Sequence, residues 1–113
     1  MSKISMHGKG DIEQISGLLT DKILSSGVSC ELVDSSVRIS GNNSVILLVF
    51  EKYYMRASNR ASLTVMLCQN EDIIYVDAIG SGGGQGPIFK FSWGTEESFV
   101  NVVADILSNN GFS

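Results

Sequence analysis

The chain predicts an α+β fold, a curved antiparallel sheet of five to six strands with two helices packed on one face, and three observations lead there. Two segments near the ends, Asp11 to Ser26 and Thr95 to Leu107, carry apolar residues at helical spacing. Between them lie successive short β-prone runs with short connections, and such connections join antiparallel strands, because a parallel crossover needs a dozen or more residues. Each helical segment has one apolar stripe to bury, so both pack most simply on the same side of the sheet. The predicted order is β-α-β4/5-α, in one domain spanning 1–113.

The first strand is Lys3 to His7, where Ile4 and Met6 alternate with Ser5 and His7. Gly8 and Gly10 end it. Asp11 is placed to cap the following helix, with Gln14 three residues later as in a capping box, and Ile12, Ile15, Leu19 and Ile23 form its stripe, widened by Leu18. Gly27 stands where a left-handed C-terminal cap belongs. Strand-like runs come next at Val28 to Val33, Val37 to Ser40, Val45 to Arg56, Ala61 to Gln69, Ile73 to Ile79 and Pro87 to Trp93. The turn signals between them are Gly41-Asn42-Asn43, Ser58-Asn59 and Asn70-Glu71-Asp72. Val45 to Phe50 is apolar at every position, which predicts a strand covered on both faces, whereas Leu63, Val65 and Leu67 alternate with polar residues as in a strand with one free face. Thr95 caps the last helix, Glu96 and Glu97 suit its positive end, and Phe99, Val102, Val103, Ile106 and Leu107 are its stripe. Asn109 to Gly111 stop it, leaving Phe112 and Ser113 as a frayed end. This order is that of TATA-binding-protein-like and helix-grip folds, a likeness that speaks for architecture alone.

At 113 residues, 43% hydrophobic and 18% charged with a single proline, the chain has enough apolar material for one core and is not disordered. A net charge of −4 opposes generic binding to nucleic acid or anionic membranes, which depends on positive surface potential. Cys30 and Cys68 lack a C-x-x-C neighbour and lie in apolar segments, so they read as buried free thiols in a reducing compartment. The start has no apolar signal region, and no window approaches the roughly 18 apolar residues of a membrane span. A cytoplasmic protein is predicted.

Five of the twelve glycines fall in Gly80-Ser81-Gly82-Gly83-Gly84-Gln85-Gly86, between two apolar runs. Neither phosphate-binding glycine signature can be read from this stretch, and the next segment, Pro87 to Phe91, reads as a strand instead of the helix those motifs open. Its amides could hold an anion beside Lys90, or the run is a mobile or bulged hairpin loop. A second constellation, Lys52-Tyr53-Tyr54-Met55-Arg56 with Arg60, sets three of the eight basic residues beside two aromatics. It reads as a site for a small anion, an acidic partner or single-stranded nucleic acid, or as the solvated end of a long strand. Phe89, Phe91 and Trp93 alternate as a core stripe or, if outward, as a dimer surface or apolar cleft.

Catalytic chemistry is poorly provided for. His7 is the only histidine, no nucleophile is marked beside it, and clustered zinc ligands are missing. Asp77 and Glu51 could pair across neighbouring strands, but Tyr75 and Asp77 read better as the polar face of a strand whose Ile74, Val76 and Ala78 face the core. No cofactor or metal is expected.

Phe50 to Leu63, and Ala78 to Gly86 with Phe89-Lys90, resemble the pattern of an uncharacterised family of small single-domain bacterial proteins of unknown function. In that pattern a Ser-Gly-Gly-small-Gln-small loop precedes a strand, and Trp-Gly-Glu-Glu or similar opens the last helix. Here Gly84 and Gly86 fill the small positions, and Trp93-Gly94-Thr95-Glu96-Glu97 carries an additional Thr. The resemblance implies no activity. Taken together, the residues favour a non-enzymatic binding domain for a small anionic molecule or a protein partner. Arg56, Arg60 and Lys90 would pair with the anion, and Asn59, Ser81 and Gln85 would orient it. The alternatives are a homodimeric structural protein that associates through an exposed sheet face, and a small hydrolase or isomerase using Asp77, Glu51 or His7.

Overall fold

A computed structural model describes residues 2–27, 29–54, 59–82 and 95–113. The elements run β1 (Ser2–Lys9), α1 (Ile12–Leu24), β2 (Cys30–Ser40), β3 (Asn43–Tyr54), β4 (Asn59–Asn70), β5 (Ile73–Gly82) and α2 (Thr95–Ser108). The five strands form one open antiparallel sheet in the order β1-β5-β4-β3-β2. The predicted α+β class is what the chain adopts, and among the described residues the predicted β-α-β4/5-α order takes its four-strand form. The further strand expected at Pro87 to Trp93, with the stripe Phe89, Phe91 and Trp93, lies outside the described residues.

The register shows why two helices share one face. Leu48 pairs with Val65, Val65 with Ala78 and Ala78 with Ile4, and the next rows hold Ile46, Leu67, Val76 and Met6 on the same side. Those strand positions join Leu19 and Ile23 of α1 and Phe99, Val103 and Leu107 of α2 in a single buried cluster. Burying each such side chain is worth roughly 1.5–3 kcal/mol, which offsets the entropy of ordering the chain around it. Val100 joins the α2 stripe beyond the residues expected from spacing. At the start of α1, the Asp11 carboxylate accepts from the Gln14 amide at 3.1 Å, as the capping pattern requires.

The structure corrects several expectations. The runs Val28 to Val33 and Val37 to Ser40 are one strand, β2, interrupted only by a bulge between Leu32 and Asp34. The polar Asp34-Ser35-Ser36 between them resembles a turn in composition, but cross-strand pairing with Val49, Leu48 and Leu47 keeps it extended. The glycine run does not end β5 at Ile79: Gly80, Ser81 and Gly82 continue the strand opposite Leu63, Ser62 and Ala61. β3 is covered by helices on one side only. Val45, Leu47 and Val49 face away from the helices and are half-buried by neighbours within the sheet, Cys68, Met66 and Thr64.

Gly27 is not in the left-handed region; α1 ends at Leu24 and is capped by Ser25, whose amide donates to the Asp21 carbonyl. A Cβ at Gly27 would lie 2.5 Å from the Lys52 Cε, the far end of a flexible side chain that can move aside. Cys30 and Cys68 are free thiols but half-buried, not enclosed. The C-terminal end is docked, not frayed. Phe112 is buried against Gly8, where a Cβ would stand 2.8 Å from its ring, and Ser113 exchanges two backbone hydrogen bonds with His7 at 3.0 Å.

Candidate functional site

Residues from three neighbouring strands meet at one end of the sheet, where β2 begins, β3 finishes and β4 begins. Side chains alternate across a strand, so Glu51 and Tyr53 lie on the helix-free face while Lys52 between them points to the helix side. Pairing then sets Cys30 opposite Lys52, Glu31 opposite Glu51, and Arg60 opposite Tyr53. Ser29, Cys30, Glu31, Glu51, Lys52, Tyr53 and Arg60 line a cleft of about 380 Å³.

The two cations of this cleft are held differently. The Lys52 ammonium donates to the Ser26 carbonyl at 3.2 Å and stands 5.7 Å from the centre of the Phe99 ring, so it ties the end of α1 to α2. Arg60 is two-thirds exposed and meets the Glu51 carboxylate at 3.4 Å, a long contact that a better anion can replace at small cost. Glu31 faces Glu51 directly across the ladder, a like-charge pairing that costs stability unless a cation relieves it. Burial pushes the Cys30 thiol above its ordinary value, the Lys52 charge opposes this, and Glu31 adds to it.

The expected site residues divide into three groups. Arg60 and Ser81 come to the same end of the helix-free face: Ser81 is exposed, and its carbonyl accepts from the Ser62 hydroxyl at 3.5 Å, next to Glu51. Asn59 is in β4 opposite Tyr54. Arg56, Gln85 and Lys90 lie outside the described residues, as does the remainder of the glycine run from Gly83 to Gly86. Ser29, Cys30 and Glu31 were missed by sequence reasoning, because only the β2–β3 register brings them beside Lys52 and Glu51.

Of the residues in the catalytic alternative, Glu51 stands apart from His7 and Asp77, which lie on the paired strands β1 and β5. Asp77 and Glu51 are not on neighbouring strands, since β4 separates β5 from β3. The Asp77 carboxylate accepts from the Ser5 hydroxyl, Glu51 is paired with Arg60, and the exposed His7 ring stacks on Tyr75 with centroids 6.1 Å apart. As expected for a polar face, Tyr75 and Asp77 point away from the buried Ile74, Val76 and Ala78. Among the described residues, no group of three or more His, Cys, Asp and Glu is placed to hold a metal ion. A second groove of about 460 Å³ runs between the helices, lined by Leu18, Lys22, Val102, Asp105, Ile106, Asn109 and Asn110.

Among the described residues, no helix is long and apolar enough to cross a membrane. A family described as "Family of unknown function (DUF6054)" matches residues 1–111. The chain belongs to that family. Membership in a family of unknown function agrees with the expectation of an uncharacterised family and brings no assigned activity. No curated protein matches the chain.

Proposed function

We propose that this DUF6054 protein is a non-enzymatic binding domain whose cleft at the start of β2 takes a small molecule bearing both an anionic group and an amine. The observation that supports this most is the distribution of charge. Among the described residues, Arg60 is exposed and held by one long contact, to Glu51, and Glu31 stands opposite Glu51 with no cation bound to it. An incoming carboxylate or phosphate would take the Arg60 guanidinium in a two-pronged contact, and the amine would relieve the Glu31–Glu51 repulsion. Tyr53 supplies a flat wall beside Arg60. Arg56, Asn59, Ser81, Gln85 and Lys90 belong to the same reading as further polar contacts.

Thermal melting in the presence of L-glutamate, phosphoethanolamine, γ-aminobutyrate and inorganic phosphate tests the proposal. The expected result is an upward shift with at least one of the three amine-bearing probes, absent in Arg60→Ala and reduced in Glu31→Gln. A shift of equal size in Arg60→Ala, or none with any probe, contradicts it.

A protein partner on the helix-free sheet face is the second reading, favoured by one observation. Met66, Tyr75 and Ile79 are exposed there beside the half-buried Leu47 and Val49. Light scattering that shows the chain to be monomeric rejects a stable homodimer through this face.

A further inference from the structure

The sheet has two edges, and they are not equivalent. The outer side of β1 is engaged by the C-terminal end, through the two hydrogen bonds between His7 and Ser113. The outer side of β2 has no neighbouring strand among the described residues. β2 is also where apolar surface is left in water, with Val33 52%, Val37 53% and Ile39 69% exposed. A long edge strand with exposed β-branched residues is a template for adding another strand.

Hairpin geometry states which groups of that edge are open. β2 and β3 are joined by the two residues Gly41 and Asn42, so Ser40 and Asn43 close the turn as a hydrogen-bonded pair. Alternation then directs the backbone groups of Arg38, Ser36 and Asp34 toward β3, and those of Ile39, Val37 and Ser35 outward. In the single chain, neighbouring side chains cover two of the outward groups. The Asp34 carboxylate accepts from the Ser35 amide at 2.8 Å, and the Arg38 guanidinium donates to the Val37 carbonyl at 3.0 Å.

We propose that β2 pairs antiparallel with β2 of a second copy of this chain, about a two-fold axis at Ser36, to give a continuous ten-stranded sheet. In this register Ser35 of one copy and Val37 of the other exchange both backbone hydrogen bonds, twice over by symmetry. Asp34 stands opposite Arg38 of the other copy, also twice, so the two side chains that cover the lone edge are released to pair with each other. Charge complementarity selects this register: moving the axis to Ser35 or Val37 keeps the hydrogen-bond pattern but separates Asp34 from Arg38. The two copies of Val37 become diagonal neighbours on the helix side and cover each other. The ligand cleft, built around Cys30 and Glu31, lies outside the paired stretch, so failure of this pairing and failure of the ligand proposal are independent.

Sedimentation of the full chain at concentrations up to about 100 micromolar tests this against charge-swapped variants. The wild type is expected at twice the 12.2 kDa chain mass. Asp34→Arg and Arg38→Asp, each replacing two attractions by two repulsions, are expected to weaken association about ten-fold or more, and the double swap to restore it. Both side chains are exposed, so the variants should fold, which circular dichroism checks. Ser36→Lys, which sets two like charges face to face at the axis, gives the same loss by a separate route. A wild type that stays monomeric overturns the proposal. So does a dimer indifferent to the single swaps, or a double swap that fails to recover.

Discussion

Gln69 does more for this fold than its polar character announces. Its carbonyl oxygen accepts from the Ile12 amide at 3.0 Å, and its amide nitrogen donates to the carbonyls of Gly10 at 2.8 Å and Glu71 at 3.1 Å. One side chain thus joins the β4–β5 turn to the loop entering α1 and satisfies an otherwise orphaned helix amide. Gln69→Ala is expected to cost about 1–3 kcal/mol in urea unfolding, more than a surface polar residue would. Cys30 supplies a pH signature. Its thiol is raised from an ordinary 9.0 chiefly by burial, so the folded state holds its proton more tightly than the unfolded state. Its penalty is absent below pH 9 and appears as the pH climbs through the window between the unfolded and folded values. Stability should therefore decline above about pH 9, and Cys30→Ala should flatten that decline in melts recorded from about pH 7 to 10. Among single residues, the Asp11 cap was legible because its partner is three positions away, whereas Gln69 was not, because its Ile12 and Gly10 partners are 57 and 59 positions away.

At the scale of elements, the C-terminal end shows how a small glycine gap creates a tie. Gly8 leaves room for the Phe112 ring against β1, and Ser113 then pairs with His7. Phe112→Ala is expected to destabilise by about 3–5 kcal/mol, and Gly8→Ala by about 1–3 kcal/mol because its methyl would drive into the ring. Equilibrium denaturation checks both; near-neutral effects would mean that the end is not docked. Both helices were readable from their stripes, since Leu19 with Ile23 and Phe99 with Val103 repeat at helical spacing. Strand limits were harder to read. The polar Asp34-Ser35-Ser36 and the glycines of β5 have turn-like composition, and only pairing with β3 and β4 holds them extended. Likewise, an unbroken apolar run from Val45 to Phe50 signals burial but not which side supplies it.

For the whole molecule, the arrangement of both helices on one face concentrates the possibilities for recognition elsewhere. The helix-free face, the β2 edge and the end of the sheet near Cys30 remain in contact with solvent. The grouping of the helices was legible in the sequence, because two one-sided stripes require one shared core. The cleft was not, because Glu31, Glu51 and Arg60 become neighbours only when three strands are set in register. The central claim is that ligand recognition occurs at this cleft. Backbone amide shifts recorded during titration with L-glutamate, phosphoethanolamine or γ-aminobutyrate, whichever raises the melting temperature, test it most directly. Perturbations gathered at Ser29, Glu31, Glu51, Tyr53 and Arg60 are the predicted result; perturbations confined to the groove of Leu18, Val102 and Ile106, or an unchanged spectrum, would contradict it.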